Sequence, residues 1–164
     1  MDTYLAIASK RDTKRYAEKP IPNRVLERIL DAGRVTGSAQ NRQPWRMLVI
    51  EDSGRRERLA GAVYEPENIR GARLVIALAG SRTFDLGRCA QNMMLAAWND
   101  GVASTPNGIA DADAARAALD LEEPPVIVLS FGYPLRHPGV ASRTAAEWSA
   151  RANRRPLSET AERL

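Results

Sequence analysis

Ser38-Ala39-Gln40-Asn41-Arg42-Gln43-Pro44-Trp45 packs a hydroxyl, three side-chain amides, an arginine, a proline and an indole into eight residues. Upstream, Val25, Leu26, Ile29 and Leu30 recur at helical spacing; downstream stands the short apolar run Met47-Leu48-Val49-Ile50. The stretch therefore joins a helix to a strand beginning near Trp45. Amide side chains carry donors and acceptors together, so such a loop suits the mixed edge of a planar heteroaromatic ring. Without a ligand it reads as a polar connection. Pro44 is expected to fix one backbone angle and hold Gln43 extended.

Working outward, Asp2-Thr3 caps a short helix with Tyr4, Leu5, Ile7 and Ala8 on its inner side. The run Lys10-Arg11-Asp12-Thr13-Lys14-Arg15-Tyr16 holds four cations in seven residues. Pro20 and Pro22 break the chain and start the helix before the loop, which Gly33 or Gly37 ends. After the strand, Asp52 or Ser53 caps a helix carrying Leu59, Ala60 and Val63, and residues 64–71 form a turn-rich link. The continuous apolar run Leu74 to Ala79 predicts a buried strand. A long helix follows from about Phe84 to Asp100, stopped by Gly101. A short strand at Val102–Thr105 leads to a Pro106-Asn107-Gly108 turn, and Asp111 caps an alanine-rich helix. A last strand covers Val126 to Phe131. The tail from Leu135 has a weak pattern, with one short helix capped by Ser158, and is expected to reach onto a second subunit.

The 164 residues fit one domain, 44% hydrophobic, with no repeat or low-complexity tract. One cysteine (Cys89) and one histidine (His137) exclude an internal disulfide framework and a multi-His/Cys zinc site. Cys89, Met93 and Met94 read as core residues, and His137 as an exposed loop residue. Net charge is +4, modest for this length, and the basic ends lack the aromatic platform of a nucleic-acid binder. No apolar run reaches membrane-spanning length and the N-terminus lacks a secretory pattern, so the expected location is the cytoplasm, with no membrane partner.

No catalytic triad or glycine-rich phosphate loop is visible, and Glu122-Glu123 sits in a turn. The chemistry is therefore expected to belong to a cofactor, not a side chain. Cations at 10–14 and 154–155 suit a phosphate held from two sides. A lysine near an electron-accepting ring favours its reduced, anionic form. Gly108 permits close approach of a ligand.

The order of these islands resembles the FMN-dependent nitroreductase family. The family's basic opening motif is similar to Lys10–Tyr16, and its Pro-(Ile/Val)-Pro break to Pro20-Ile21-Pro22. Its amide loop ending in Gln-Pro-Trp is similar to Gly37–Trp45, and its Asp-x-Gly helix with a Gln-Asn pair to Asp85-Leu86-Gly87 with Gln91-Asn92. Gly132-Tyr133-Pro134 and Arg154-Arg155-Pro156-Leu157 complete the order.

The resemblance implies an α+β fold with a central mixed or antiparallel sheet flanked by helices. It implies one FMN-binding domain over 1–164, whose residues 135–164 are the arm reaching the partner of a homodimer. By analogy Lys10, Arg11 and Asp12 lie at the phosphate, Lys14 at the N1/O2 edge of the ring, and Ser38, Ala39, Asn41 and Gln43 along the flavin. The Ser38 part is expected from the second chain. Pro106, Asn107 and Gly108 lie against the ring, and Arg154 or Arg155 closes on the phosphate. The implied activity is ping-pong reduction of nitroaromatic, quinone or related electron-poor small molecules by NADH or NADPH through the flavin N5, with no metal and no obligatory side-chain acid or base. Asp12 stands where the family has serine, Gly37 where it has proline, and only Gly80 to Phe84 separates the second strand from the long helix. A more open cleft follows, and a flavin-sequestering protein without efficient turnover is the alternative.

Overall fold

The structure is a computed structural model and describes residues 1–136 and 139–164; His137, read above as an exposed loop residue, lies outside the described residues. It falls into two compact units: residues 1–10 with the described part of 138–164, and the described part of 11–137.

The larger unit is built on a four-stranded sheet: β1 (Trp45–Val49), β2 (Leu74–Gly80), β3 (Ala103–Asn107) and β4 (Ile127–Gly132). Its order is β1-β2-β4-β3, and every pair is antiparallel. The expected mixed or antiparallel sheet is thus antiparallel. Side chains alternate across a strand. Leu74, Ile76 and Leu78 of β2, with Leu129 and Phe131 of β4, pack on α2 (Asn23–Arg34) and α5 (Thr83–Asn99) through Ile29, Leu86, Cys89 and Met93. Val75 and Ala77 point the other way and are equally buried. That is why the β2 run is apolar without a break. On that second side α3 (Ser53–Gly61), α4 (Pro66–Arg70) and α6 (Ala112–Ala118) pack together. Asp52 and Asp111 cap α3 and α6 by accepting from Arg55 N and Ala114 N.

Several expectations are corrected. Gly33 does not end α2 but sits buried within it, because a Cβ there would stand 2.6 Å from Met47 Sδ and 3.0 Å from Met93 Cγ; the helix runs on to Arg34. Gly37, beyond the helix, lies against Arg88 instead. Residues 64–71 are not only a link: Pro66, at the first turn, where proline costs no helical hydrogen bond, opens α4. Arg56 closes that helix by donating to the carbonyls of Ile69, Arg70 and Ala72. Val63 lies past α3, in a bridge to Ile109. Pro106 and Asn107 do not form a turn; they finish β3, where a proline is tolerated because the strand is an edge.

The smaller unit pairs α1 (Thr3–Ser9) with α7 (Ala145–Ala150). Asp2 caps α1 through Leu5 N. Tyr4 and Ile7, expected inside, are 60% and 52% exposed. The tail holds more structure than its weak pattern suggested. Thr144 and Glu147 form a reciprocal capping box, and the Glu147 carboxylate, accepting from Thr144 N and Oγ1, is held below the ordinary carboxylate range. Trp148 is buried and donates through Nε1 to Val140 O. Ser158 is no cap; it sits inside a 3-10 turn preceded by Pro156.

Candidate functional site

The amide loop is a tight, polar turn held from beneath. Ser38 Oγ accepts from Gln43 N at 2.8 Å, closing a ring of six residues. Within it Gln40, Asn41 and Gln43 have φ of +55°, +52° and +49°. Gln43 is therefore not extended. The Ser38 hydroxyl turns its N–H inward, and a proline at the next position disfavours the right-handed region that would otherwise serve. Left-handed backbone at three non-glycine residues costs about 1 kcal/mol or more each and marks an over-determined loop. The loop lies against the start of α5. Asp85, buried in its first turn, faces Ala39 N at 3.5 Å and pairs with Arg88 at 3.6 Å. A Cβ on Gly37 would stand 3.0 Å from Arg88 Nη2. Ser38, Ala39, Asn41 and Gln43 thus come together on one loop, with Asn41 and Gln43 exposed.

The cation run behaves differently. Asp12 bridges Ser104, and Thr13 N donates to Ser104 O at 3.2 Å. Thr105 Oγ1 donates back to Thr13 O at 2.7 Å. Tyr16 is buried, its hydroxyl 3.2 Å from both Ser130 O and Ser130 Oγ; burial pushes its pKa up, so it stays a neutral donor. Residues 11–16 are therefore a ribbon that meets the β3 edge at Asp12 and Thr13 and ends over β4 at Tyr16, which bridges Pro134; Asp12 and Lys14 are exposed and Arg11 is half-buried.

Pro106, Asn107 and Gly108 lie on or just past that same strand. Pro106 and Gly108 are exposed, but Asn107 is buried. Its Nδ2, with two protons to give, lies within hydrogen-bond reach of Thr105 O, Val128 O and Ser130 Oγ, and its Oδ1 accepts from Asn68 Nδ2 at 2.9 Å. Replacing Asn107 by alanine strips these buried hydrogen bonds, and is expected to destabilise the chain by about 3 kcal/mol. Urea unfolding of the apo protein measures it; a loss under about 1 kcal/mol contradicts this network. Tyr64, 73% exposed, stands beside Gly108, whose added Cβ would meet the ring at 3.3 Å. Nothing in its turn-like surroundings marked it beforehand. In the smaller unit Lys10 follows α1, and Arg154 and Arg155 are exposed.

The larger unit therefore sets Asp12 and Thr13 against Ser104 and Thr105 of the strand that carries Pro106 and Asn107, with Arg11 and Lys14 on the same ribbon. It does not bring them to Ser38–Gln43. That loop enters β1, the opposite edge, while the ribbon lies outside β3. Four inter-strand steps of about 4.8 Å separate them, roughly 19 Å. No side chain of the loop offers an acid or base, and the Ser38 hydroxyl is held by Gln43 N with no base beside it. Cys89 is buried, and its thiol is pushed up to about 11, so it supplies no thiolate. Among the described residues no His, Cys, Asp and Glu cluster suits a metal ion, and no helix is long and apolar enough to cross a membrane.

A model of the Nitroreductase family matches residues 7–83 and 81–133. The NADH dehydrogenase of Thermus thermophilus is 32% identical over 78 residues, which is 48% of this chain and 38% of that protein. A provisionally named NADH dehydrogenase/NAD(P)H nitroreductase of Methanothermobacter thermautotrophicus is 24% identical over 154 residues, covering 85% of this chain and 81% of that one. Among solved structures, a provisionally named nitroreductase from Desulfovibrio desulfuricans, in complex with FMN, superposes with a TM-score of 0.81 at 26% identity, over 100% of this chain and 98% of that one.

Proposed function

Because the chain belongs to the nitroreductase family, we propose that it is an FMN-dependent NAD(P)H oxidoreductase working as a homodimer, with residues 1–164 as one FMN-binding domain and 135–164 as the arm that reaches the partner. Bound FMN supplies the two-electron chemistry between a nicotinamide and an electron-poor acceptor such as a nitroaromatic or a quinone. The donor set fits that group. Exposed cations suit a phosphate, and exposed amides suit the polar edge of a fused ring.

The single observation that carries this reading is the allocation of those groups to opposite edges of one sheet. A cofactor touching both needs the loop of a second chain beside the ribbon of the first. On this reading Lys10, Arg11, Arg154 and Arg155 neutralise the phosphate. Arg11 and Lys14 flank Asp12 and offset its repulsion. Lys14 stands at the ring edge, where its charge favours the reduced state. Ser38, Ala39, Asn41 and Gln43 of the second chain orient the ring, and Pro106, Asn107 and Gly108 offer backbone against it. The short connection from Gly80 to Thr83 leaves the acceptor side open.

The protein is expected to show a visible flavin band once loaded with FMN. Anaerobic NADH or NADPH should bleach it, and a nitroaromatic or quinone should restore it. Bleaching without recovery by any acceptor would leave a flavin-sequestering protein. Material that stays colourless in excess FMN overturns the reading. Lys14→Ala is expected to weaken FMN binding about tenfold, the worth of one charge-assisted contact; titration of the apo protein measures it, and unchanged affinity and reduction remove Lys14 from the ring edge.

A further inference from the structure

We propose that Thr105 and Ser130 are positioning residues for Lys14: their buried hydroxyls pin the ribbon on either side of it, and so set the flavin's affinity and reduction potential. This rests on the reading of Lys14 as the cation at the ring edge.

Lys14 is exposed, yet its backbone is bracketed. On one side Thr13 is held twice, by Thr105 Oγ1 at its carbonyl and by Ser104 O at its N–H. On the other side Tyr16 is held by Ser130, and Ala17 N donates to Tyr133 O at 2.8 Å. A span pinned at both ends cannot translate, so the ammonium group moves only through its own side-chain torsions.

Ser130 is the hub. A hydroxyl has one proton and two lone pairs. Ser130 Oγ lies 3.3 Å from Thr105 O, 3.1 Å from Asn107 Nδ2 and 3.2 Å from Tyr16 Oη. Donation to Thr105 O leaves both lone pairs for Asn107 and Tyr16, which uses its full capacity. Asn107 extends the chain of bonds to Asn68 on α4. The sheet itself does not require this polarity. β4 is otherwise apolar at Ile127, Val128, Leu129 and Phe131, and removing the Thr105 and Ser130 hydroxyls would take a partner from Thr13 O, Asn107 Nδ2 and Tyr16 Oη. What the hydroxyls add is a defined place for the ribbon.

The test compares Thr105→Val, which keeps shape and loses the hydroxyl, with Thr105→Ser, which keeps it, and Tyr16→Phe, which removes only the second anchor. In the apo protein, hydrogen exchange at Thr13 N–H is expected to quicken at least tenfold in Thr105→Val and to recover in Thr105→Ser. In the loaded protein, FMN affinity should fall about tenfold. The reduced-to-oxidised ratio at a fixed poise should fall about tenfold as well, about 30 mV for a two-electron couple. Combined with Lys14→Ala, Thr105→Val should add almost nothing to the shift in potential, because both act through one charge. Should Thr105→Val not fold, Tyr16→Phe carries the affinity and potential readouts, with exchange followed at Ala17 N–H. Unchanged exchange, an unchanged potential, or a potential shift that persists in full beside Lys14→Ala overturns the assignment. A wild-type chain that takes no FMN overturns the functional reading beneath it. A chain that takes FMN and responds to Lys14→Ala but not to Thr105→Val overturns this assignment alone.

Discussion

Gly80→Ala is expected to destabilise the protein by about 4 kcal/mol and to abolish retention of FMN. Gly80 ends β2 with φ of +138°, a conformation closed to side chains, and it pairs with Trp45. A Cβ there would stand 1.9 Å from Pro44 O and 3.0 Å from Pro44 C. Both are backbone atoms, so no side-chain rotation relieves the overlap. The chain must shift where the amide loop enters β1, and the loop shifts with it. For a domain of this size the loss corresponds to a fall in Tm of roughly 10 °C. Thermal unfolding of the apo protein reads the first effect and FMN titration the second. A Tm within about 2 °C of wild type contradicts the close approach.

Gly132→Ala is expected to cost about 3 kcal/mol and to unseat the ribbon from the opposite edge. Gly132 closes β4 beneath Tyr16, and an added Cβ would meet Tyr16 Cγ, Cβ and Cδ1 at 2.5, 2.6 and 2.7 Å. Two of these atoms lie at the root of the side chain, so the ring cannot simply swing aside. Tyr16 must leave Ser130, and with it goes one of the two anchors of Lys14. Urea unfolding should show the loss of stability, and hydrogen exchange should show faster opening at Ala17. A variant with near-native stability and an unmoved Tyr16 contradicts the packing described.

Much of this architecture was legible beforehand. The unbroken run in β2 betrayed a strand covered on both faces, and Asp2, Asp52 and Asp111 announced their helices. The density of amides at 38–43 singled out the loop. Three kinds of feature were hidden. Gly33 resembles a helix stop, because its contact with Met47 and Met93 comes from residues distant in sequence. Pro106-Asn107-Gly108 carries turn chemistry, but strand pairing with β4 and the demand of Asn68 for a partner override it. The tail alternates arginine and alanine, yet one capping box and one buried tryptophan order it. The site's division between sheet edges was invisible for the same reason: β3 follows β2 in the chain, but β4 inserts between them.

On the proposed reading each cofactor site takes its ribbon from one chain and its amide loop from another. Heterodimers made from two differently tagged chains test it most directly, one carrying Arg11→Ala with Lys14→Ala and the other Asn41→Ala with Gln43→Ala. Neither mutant homodimer should hold FMN and each heterodimer should hold one, because the intact ribbon of one chain meets the intact loop of the other. A heterodimer as empty as its parents, while the wild-type dimer binds FMN, would show that ribbon and loop serve the same chain.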